Sequence, residues 1–165
     1  AGLALMALNS TRPCAPHGIA NAIWPGRVQK LDTGALAAIW PYKPIWLDGA
    51  HNAHGATALA AALLTIRDDK WNVICGALNT RDPAEFLAPL TPLAGRVACL
   101  TIPDQDASLS ATEMSDAARH LGLAASPAAT LAACFDLLDQ TAPVIICGSL
   151  YLAGHILTQN KTLPA

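Results

Sequence analysis

Apolar positions along this chain gather into short continuous runs separated by segments of helical spacing. Ile45-Trp46-Leu47, Asn72 to Leu78, Arg96 to Ile102 and Pro143 to Ser149 are such runs, and they predict strands covered on both faces. Between them, Thr57 to Ile66 is Ala/Leu-rich and predicts a helix, and Asp82-Pro83 places an N-cap before a first-turn proline, opening a helix to about Leu93. Ala111 to Leu121 carries helical spacing and stops at Gly122; Thr130 to Gln140 and Leu150 to Gln159 predict two further helices. Upstream, Pro16 to Ile23 predicts a short helix ended by Trp24-Pro25-Gly26, Arg27 to Leu31 alternates like a strand, and Ala35 to Trp40 reads as a second strand after the Asp32-Thr33-Gly34 turn. Strands that alternate with helices in this way predict an α/β fold: a Rossmann-like open, mostly parallel sheet with helices on both faces.

The apolar stretch Ala1 to Leu8 reads as the last turns of a helix that begins earlier, and Asn9 to Pro13 as a break. Residues 1–12 are therefore expected to be the tail of a preceding domain or a linker, and residues 13–165 one domain. Length is sufficient for a real core, and 53% hydrophobic against 13% charged residues gives it a dry interior. A net charge of −2 leaves no electrostatic footprint for nucleic acid, and every apolar run is too short to span a bilayer, so neither nucleic acid nor membrane is an expected partner. Four of the five cysteines, Cys75, Cys99, Cys134 and Cys147, sit inside apolar segments and no C-x-x-C pair exists. That usage points to a reducing, cytoplasmic setting.

Candidate chemistry concentrates where strands end. After Ile45-Trp46-Leu47 comes Asp48-Gly49-Ala50-His51-Asn52, a tight polar turn leading into a helix, which is where α/β proteins build ligand sites. Asp48 suits a sugar hydroxyl or a cation, and His51 and Asn52 suit a polar substrate; equally, Asp48 and Asn52 suit a helix cap with His51 a satisfied polar neighbour. Two more strand ends carry polar residues, Asn79-Thr80-Arg81-Asp82 and Gly148-Ser149-Leu150-Tyr151. In a parallel sheet the carboxyl ends share one edge, so all three turns are expected on the same side. The chain has no G-x-x-x-x-G-K-[ST], no G-x-G-x-x-G and no G-x-S-x-G, hence no phosphate cradle or nucleophile elbow of its own. His51 and His54 lack a third ligand, and no metal site is expected.

Trp24-Pro25-Gly26-Arg27, Leu47-Asp48-Gly49-Ala50-His51-Asn52 and Gly148-Ser149-Leu150-Tyr151-Leu152, in that order, resemble the signatures of folylpolyglutamate synthases, including the bifunctional dihydrofolate synthase/folylpolyglutamate synthase enzymes. The resemblance covers about residues 13–165, as the carboxy-terminal domain of that family, with residues 1–12 similar to the end of its ATP-binding domain. It implies a Mur ligase-type C-terminal domain in an ATP-dependent amide ligase. In that family ATP phosphorylates a pterin-linked carboxylate, dihydropteroate or a tetrahydrofolate, and the amine of L-glutamate attacks the acyl phosphate. The P-loop and the Mg2+ ligands belong to the N-terminal domain, the expected partner within the same protein. Carried over by motif, Arg27 is implied to contact ATP phosphates, Asp48 the ribose side, and His51 and Ser149 the incoming glutamate as catalytic residues. Asn52, Arg81 and Tyr151 are implied as weaker glutamate contacts.

Two departures stand out from the family pattern: Ala53 where proline often follows His-Asn, and Thr80-Arg81-Asp82 where Asp-Lys-Asp is common. The second keeps a cation and loses a carboxylate. The alternatives are a peptidoglycan-precursor ligase domain, against which the Trp-Pro-Gly-Arg and Gly-Ser-Leu-Tyr-Leu pieces speak, and a non-catalytic α/β binding module.

Overall fold

In the computed structural model, which describes residues 26–161, the chain runs β1 (Gln29–Lys30), α1 (Ala35–Ile39), β2 (Ile45–Leu47), α2 (Ala53–Ile66), β3 (Trp71–Cys75), α3 (Pro83–Leu87) with a 3₁₀ turn (Ala88–Leu90), β4 (Ala94–Leu100), α4 (Ala111–His120), β5 (Ala124–Ala128), α5 (Leu131–Asp136), β6 (Val144–Cys147) and α6 (Leu150–Asn160). The helix expected over Pro16 to Ile23, the segment 1–12 and Trp24-Pro25 lie outside the described residues. The six strands form one sheet in the order β1-β2-β6-β3-β4-β5. All neighbours pair in parallel except β1, which runs antiparallel to β2.

Every residue of β3 and β6 is buried, as continuous apolar runs require when helices cover both faces. The pleat divides them. Trp71, Val73, Cys75, Ile145 and Cys147 point to the face packed by α2, α3 and α4, while Ile74, Val144 and Ile146 point to the face packed by α1, α5 and α6. Among the described strand residues one buried polar side chain has its needs met: Asn72, 1% exposed, donates through Nδ2 to the carbonyls of Asp139 (2.7 Å) and Ala142 (3.0 Å) and accepts from the Asp139 amide.

Several boundaries differ from the sequence reading, each for a local reason. Ala35 to Trp40 is a helix, not a strand. Only Leu36 and Trp40 of that stretch are buried, a spacing of four that fits a helical turn, and the Trp40 amide donates to the Leu36 carbonyl at 2.9 Å. Asn160, at the end of α6, accepts from the Leu36 amide and donates to the Thr33 carbonyl, so this short helix is anchored by a residue far away in sequence. Helix α2 begins at Ala53 rather than Thr57, because Asn52 is its N-cap. The helix after Asp82 tightens to 3₁₀ at Ala88 instead of running to Leu93, where Pro89 removes a backbone donor. Strand β5 (Ala-Ala-Ser-Pro-Ala) is absent from the sequence reading, since it has neither an apolar run nor clean alternation.

The four cysteines among the described residues pack as small hydrophobes. Cys147, Cys75 and Cys99 lie side by side across β6, β3 and β4 on one face, with the Cys75 and Cys99 sulfurs 3.8 Å apart, and Cys134 is buried on the other face. The adjacent Cys99 thiol and burial push the Cys75 thiol well up, burial and then the charge of Asp48 push Cys147 up, and burial pushes Cys134 to about 12. An unfolded thiol near 9.0 loses its proton first as pH rises, so the folded state holds more protons above that point. Stability is therefore expected to fall as pH climbs from about 9 toward 12, read as a declining urea midpoint. In native buffer none of these four thiols is expected to react with Ellman's reagent until the protein unfolds; rapid labelling of any of them, located by peptide mapping, refutes this.

Candidate functional site at the carboxyl ends of three adjoining strands

Strands β2, β6 and β3 are neighbours in the sheet, and the three polar turns leave from their carboxyl ends. There they enclose a cavity of about 150 Å³. His51 enters it from the β2 turn, Thr80, Arg81 and Asp82 from the turn after β3, and Ser149, Leu150 and Tyr151 from the turn after β6. Ala77, Leu78, Pro83 and Phe86 supply apolar wall. The convergence expected from parallel strands is present, and its cause is adjacency: β6 inserts between β2 and β3, so the chain's last strand completes a site begun by its earlier ones.

His51 is exposed, with Nδ1 2.9 Å from the Gly49 carbonyl. A carbonyl only accepts, so Nδ1 carries the hydrogen, and in the neutral ring Nε2 keeps its lone pair. Ser149 is 3% exposed and caps α6: its Oγ accepts the Tyr151 amide at 3.1 Å, while its own hydroxyl hydrogen stays available. The start of an eleven-residue helix, with its positive dipole end, thus stands at the cavity edge. Arg81 is exposed and makes no ion pair or hydrogen bond among the described residues. Asp82 caps α3 through the Ala84 amide at 2.8 Å, and Tyr151 stands 56% exposed at the mouth. The cavity therefore offers a cation, a carboxylate, an imidazole and hydroxyls around an apolar wall, a lining suited to a small molecule with charges of both signs.

The remaining residues singled out in the sequence sit outside the cavity lining. Asn52 is occupied as the α2 cap, its Oδ1 accepting from the Gly55 amide at 2.8 Å. Asp48 is no cap. It is 6% exposed, and its two oxygens accept from the amides of Val28 (2.8 Å) and Ala50 (2.7 Å). Arg27 lies on the loop that Asp48 holds, exposed and without an ion pair or hydrogen bond among the described residues. That loop abuts the β2 turn, where the Gly49 amide donates to the Gly26 carbonyl at 2.6 Å. Phe86 was the lining residue hardest to foresee; its position four residues after the Asp82 cap, on the inward face of α3, is the only signal for it.

Fold and site together define an α/β domain with a polar-rimmed cavity at the carboxyl edge of its sheet, where Arg81 has no partner among the described residues. The chain belongs to the family of dihydrofolate synthetase C-terminal domains, whose family model matches residues 41–159. That span contains the His51, Arg81 and Ser149 turns and begins after Arg27. Folylpolyglutamate synthase of Lacticaseibacillus casei is 34% identical over 142 residues, covering 85% of this chain and 30% of that relative. Among solved structures, Mycobacterium tuberculosis folylpolyglutamate synthase complexed with ADP superposes with a TM-score of 0.75 at 23% identity, over 90% of this chain and 35% of that one. A Yersinia pestis bifunctional folylpolyglutamate synthase/dihydrofolate synthase complexed with AMPPNP and a manganese ion gives 0.74 at 24% identity, over 94% and 37%. These likenesses show that the chain shares the fold of the matching part of those folylpolyglutamate synthase structures, and the family match displaces the peptidoglycan-precursor alternative. The chain spans about a third or less of each relative.

Proposed function

We propose that this chain is the glutamate-side domain of a cytoplasmic, ATP-dependent folate–glutamate ligase, joining L-glutamate to the carboxylate of dihydropteroate or a tetrahydrofolate. The observation that carries this reading is the cavity shared by His51, Arg81 and Ser149, three residues from separate turns gathered around one small volume. Its charge pattern suits an amino acid. Arg81 and the α6 amides face carboxylates, and the Nε2 lone pair of His51 faces the amine that must lose a proton as it attacks. Ser149 donates its hydroxyl hydrogen to a glutamate oxygen, and Tyr151 closes the mouth. Asn52 caps α2 through Oδ1, and its Nδ2 donors, without a partner among the described residues, remain for a weaker glutamate contact.

Arg27 belongs to the other half of the reaction. A guanidinium with no partner, on an anchored loop at the same sheet edge, suits phosphate oxygens and the charge that builds during phosphoryl transfer. Among the described residues no three His, Cys, Asp or Glu side chains gather as a metal set, and we place the Mg2+ ligands on a nucleotide-binding domain that carries the P-loop this sequence lacks. When that domain and this one close, water is excluded from the activated carboxylate and glutamate is held beside it.

The test is glutamate-dependent ADP release by the full-length protein, supplied with dihydropteroate or with tetrahydrofolate. Release with either supports the reading and says which reaction is run. No release with either, from folded protein that binds ATP, refutes it and favours a non-catalytic module or a different carboxylate.

A further inference from the structure

The loop bearing Arg27 is held in a conformation it would not keep alone. Gly26 has φ +70°, and Val28 has φ +44°, a left-handed backbone that a β-branched residue avoids. Three contacts pin the excursion: the Val28 amide on Asp48 Oδ2 at 2.8 Å, the Gly26 carbonyl on the Gly49 amide at 2.6 Å, and the Gly26 amide on Gln29 Oε1 at 2.9 Å. Asp48 is the side chain that joins the two halves of the site, because its other oxygen accepts the Ala50 amide at 2.7 Å within the turn that carries His51. Its buried carboxylate is thus directed at two backbone amides, those of Val28 and Ala50, that set where Arg27 and the His51 turn stand relative to each other.

We infer that Asp48 is a positioning residue for Arg27, its carboxylate locking the strained Val28 backbone so that the guanidinium stands ready for phosphate oxygens. This rests on the reading of Arg27 as the phosphate contact. It differs from a direct role of Asp48 on the nucleotide's ribose in what its loss does.

Asp48→Asn keeps the side chain's shape but leaves one acceptor oxygen for two amide donors, so the loop relaxes while the fold is retained. In the full-length enzyme, Asp48→Asn is expected to lower kcat/KM for ATP about tenfold or more when Arg27 is present, and by less than about twofold in an Arg27→Ala background. The penalty is expected to persist when 2′,3′-dideoxy-ATP replaces ATP, since no ribose hydroxyl is involved. Equal penalties with and without Arg27, or a penalty that disappears with the dideoxy nucleotide, overturn the inference and leave the phosphate reading of Arg27 standing. Full activity of Arg27→Ala by itself overturns that reading, and the inference with it.

Should Asp48→Asn fail to fold, replacing Val28 by its α-hydroxy analogue converts one amide to an ester and deletes only the donor facing Asp48. Turnover is expected to fall by a similar factor at an unchanged melting temperature. Unchanged turnover refutes the inference.

Discussion

If the proposed ligase activity holds, Arg27→Ala is expected to lower turnover of the full-length protein by about 10³-fold while leaving its unfolding midpoint within about 2 °C of the parent. The two halves of that expectation come from the same geometry. Arg27 is exposed and makes no ion pair or hydrogen bond among the described residues, so its removal breaks nothing that holds the domain together. Its loop, by contrast, is tied at Gly26 and Val28, which fixes the Arg27 backbone beside the turn that carries His51. A charge of that kind is most valuable where negative charge accumulates on transferring phosphoryl oxygens, and lysine, lacking the planar fork, is expected to recover only part of the loss. Steady-state kinetics beside thermal denaturation decide the matter: turnover near the parent value, or a loss matched by a collapsed midpoint, contradicts it.

Gly148→Ala is expected to destabilise the domain by about 3–5 kcal/mol, enough to leave little folded protein at 37 °C. At φ +112° the backbone of Gly148 occupies a region that side chains shun. A Cβ there would also lie 2.5 Å from the Gly76 carbonyl oxygen and 3.2 Å from its carbon, and both belong to the backbone immediately after the neighbouring strand β3. Neither atom can move aside without disturbing β3. Gly148 is moreover the residue before Ser149, and its amide donates to the Ala50 carbonyl at 2.8 Å, so two turns of the site are joined through it. Urea unfolding of the substituted protein, compared with Gly122→Ala, separates the two costs: Gly122 also has positive φ, at +81°, but no atom lies within 4 Å of its would-be Cβ. Gly122→Ala is expected to cost about 1–2 kcal/mol, the backbone part alone. Equal losses at both positions would mean that the contact with Gly76 contributes nothing.

Much of this arrangement was legible in the residues. Ile45 to Leu47 and Val144 to Cys147 announced buried parallel strands because nothing polar interrupts them, and parallel strands put His51, Arg81 and Ser149 on one edge before any distance is known. The illegible parts depended on partners distant in sequence. Ala35 to Ile39 has too few residues to display a period; what makes it a helix is Leu36 and Trp40 reaching the core together and Asn160 meeting the Leu36 amide. Asp48 sits in a turn where a cap, a cation and a sugar were all sensible partners; its bond to the Val28 amide could not be foreseen, because that residue's left-handed backbone leaves no mark in the sequence. Strand β5 was missed because it is recruited by pairing with β4, Arg96 to Ala124 through Leu100 to Ala128, and not by its own composition.

The margins of the sheet have a consequence for how the protein behaves in a crowded solution. An open sheet presents two unpaired edges, each a template on which another chain can add a strand and begin to aggregate. Among the described residues one margin is β1, only two residues long, and the other is β5, whose exposed Pro127 has no amide hydrogen to offer. Neither edge gives a newcomer a continuous ladder, so the six strands resist annexation from either side.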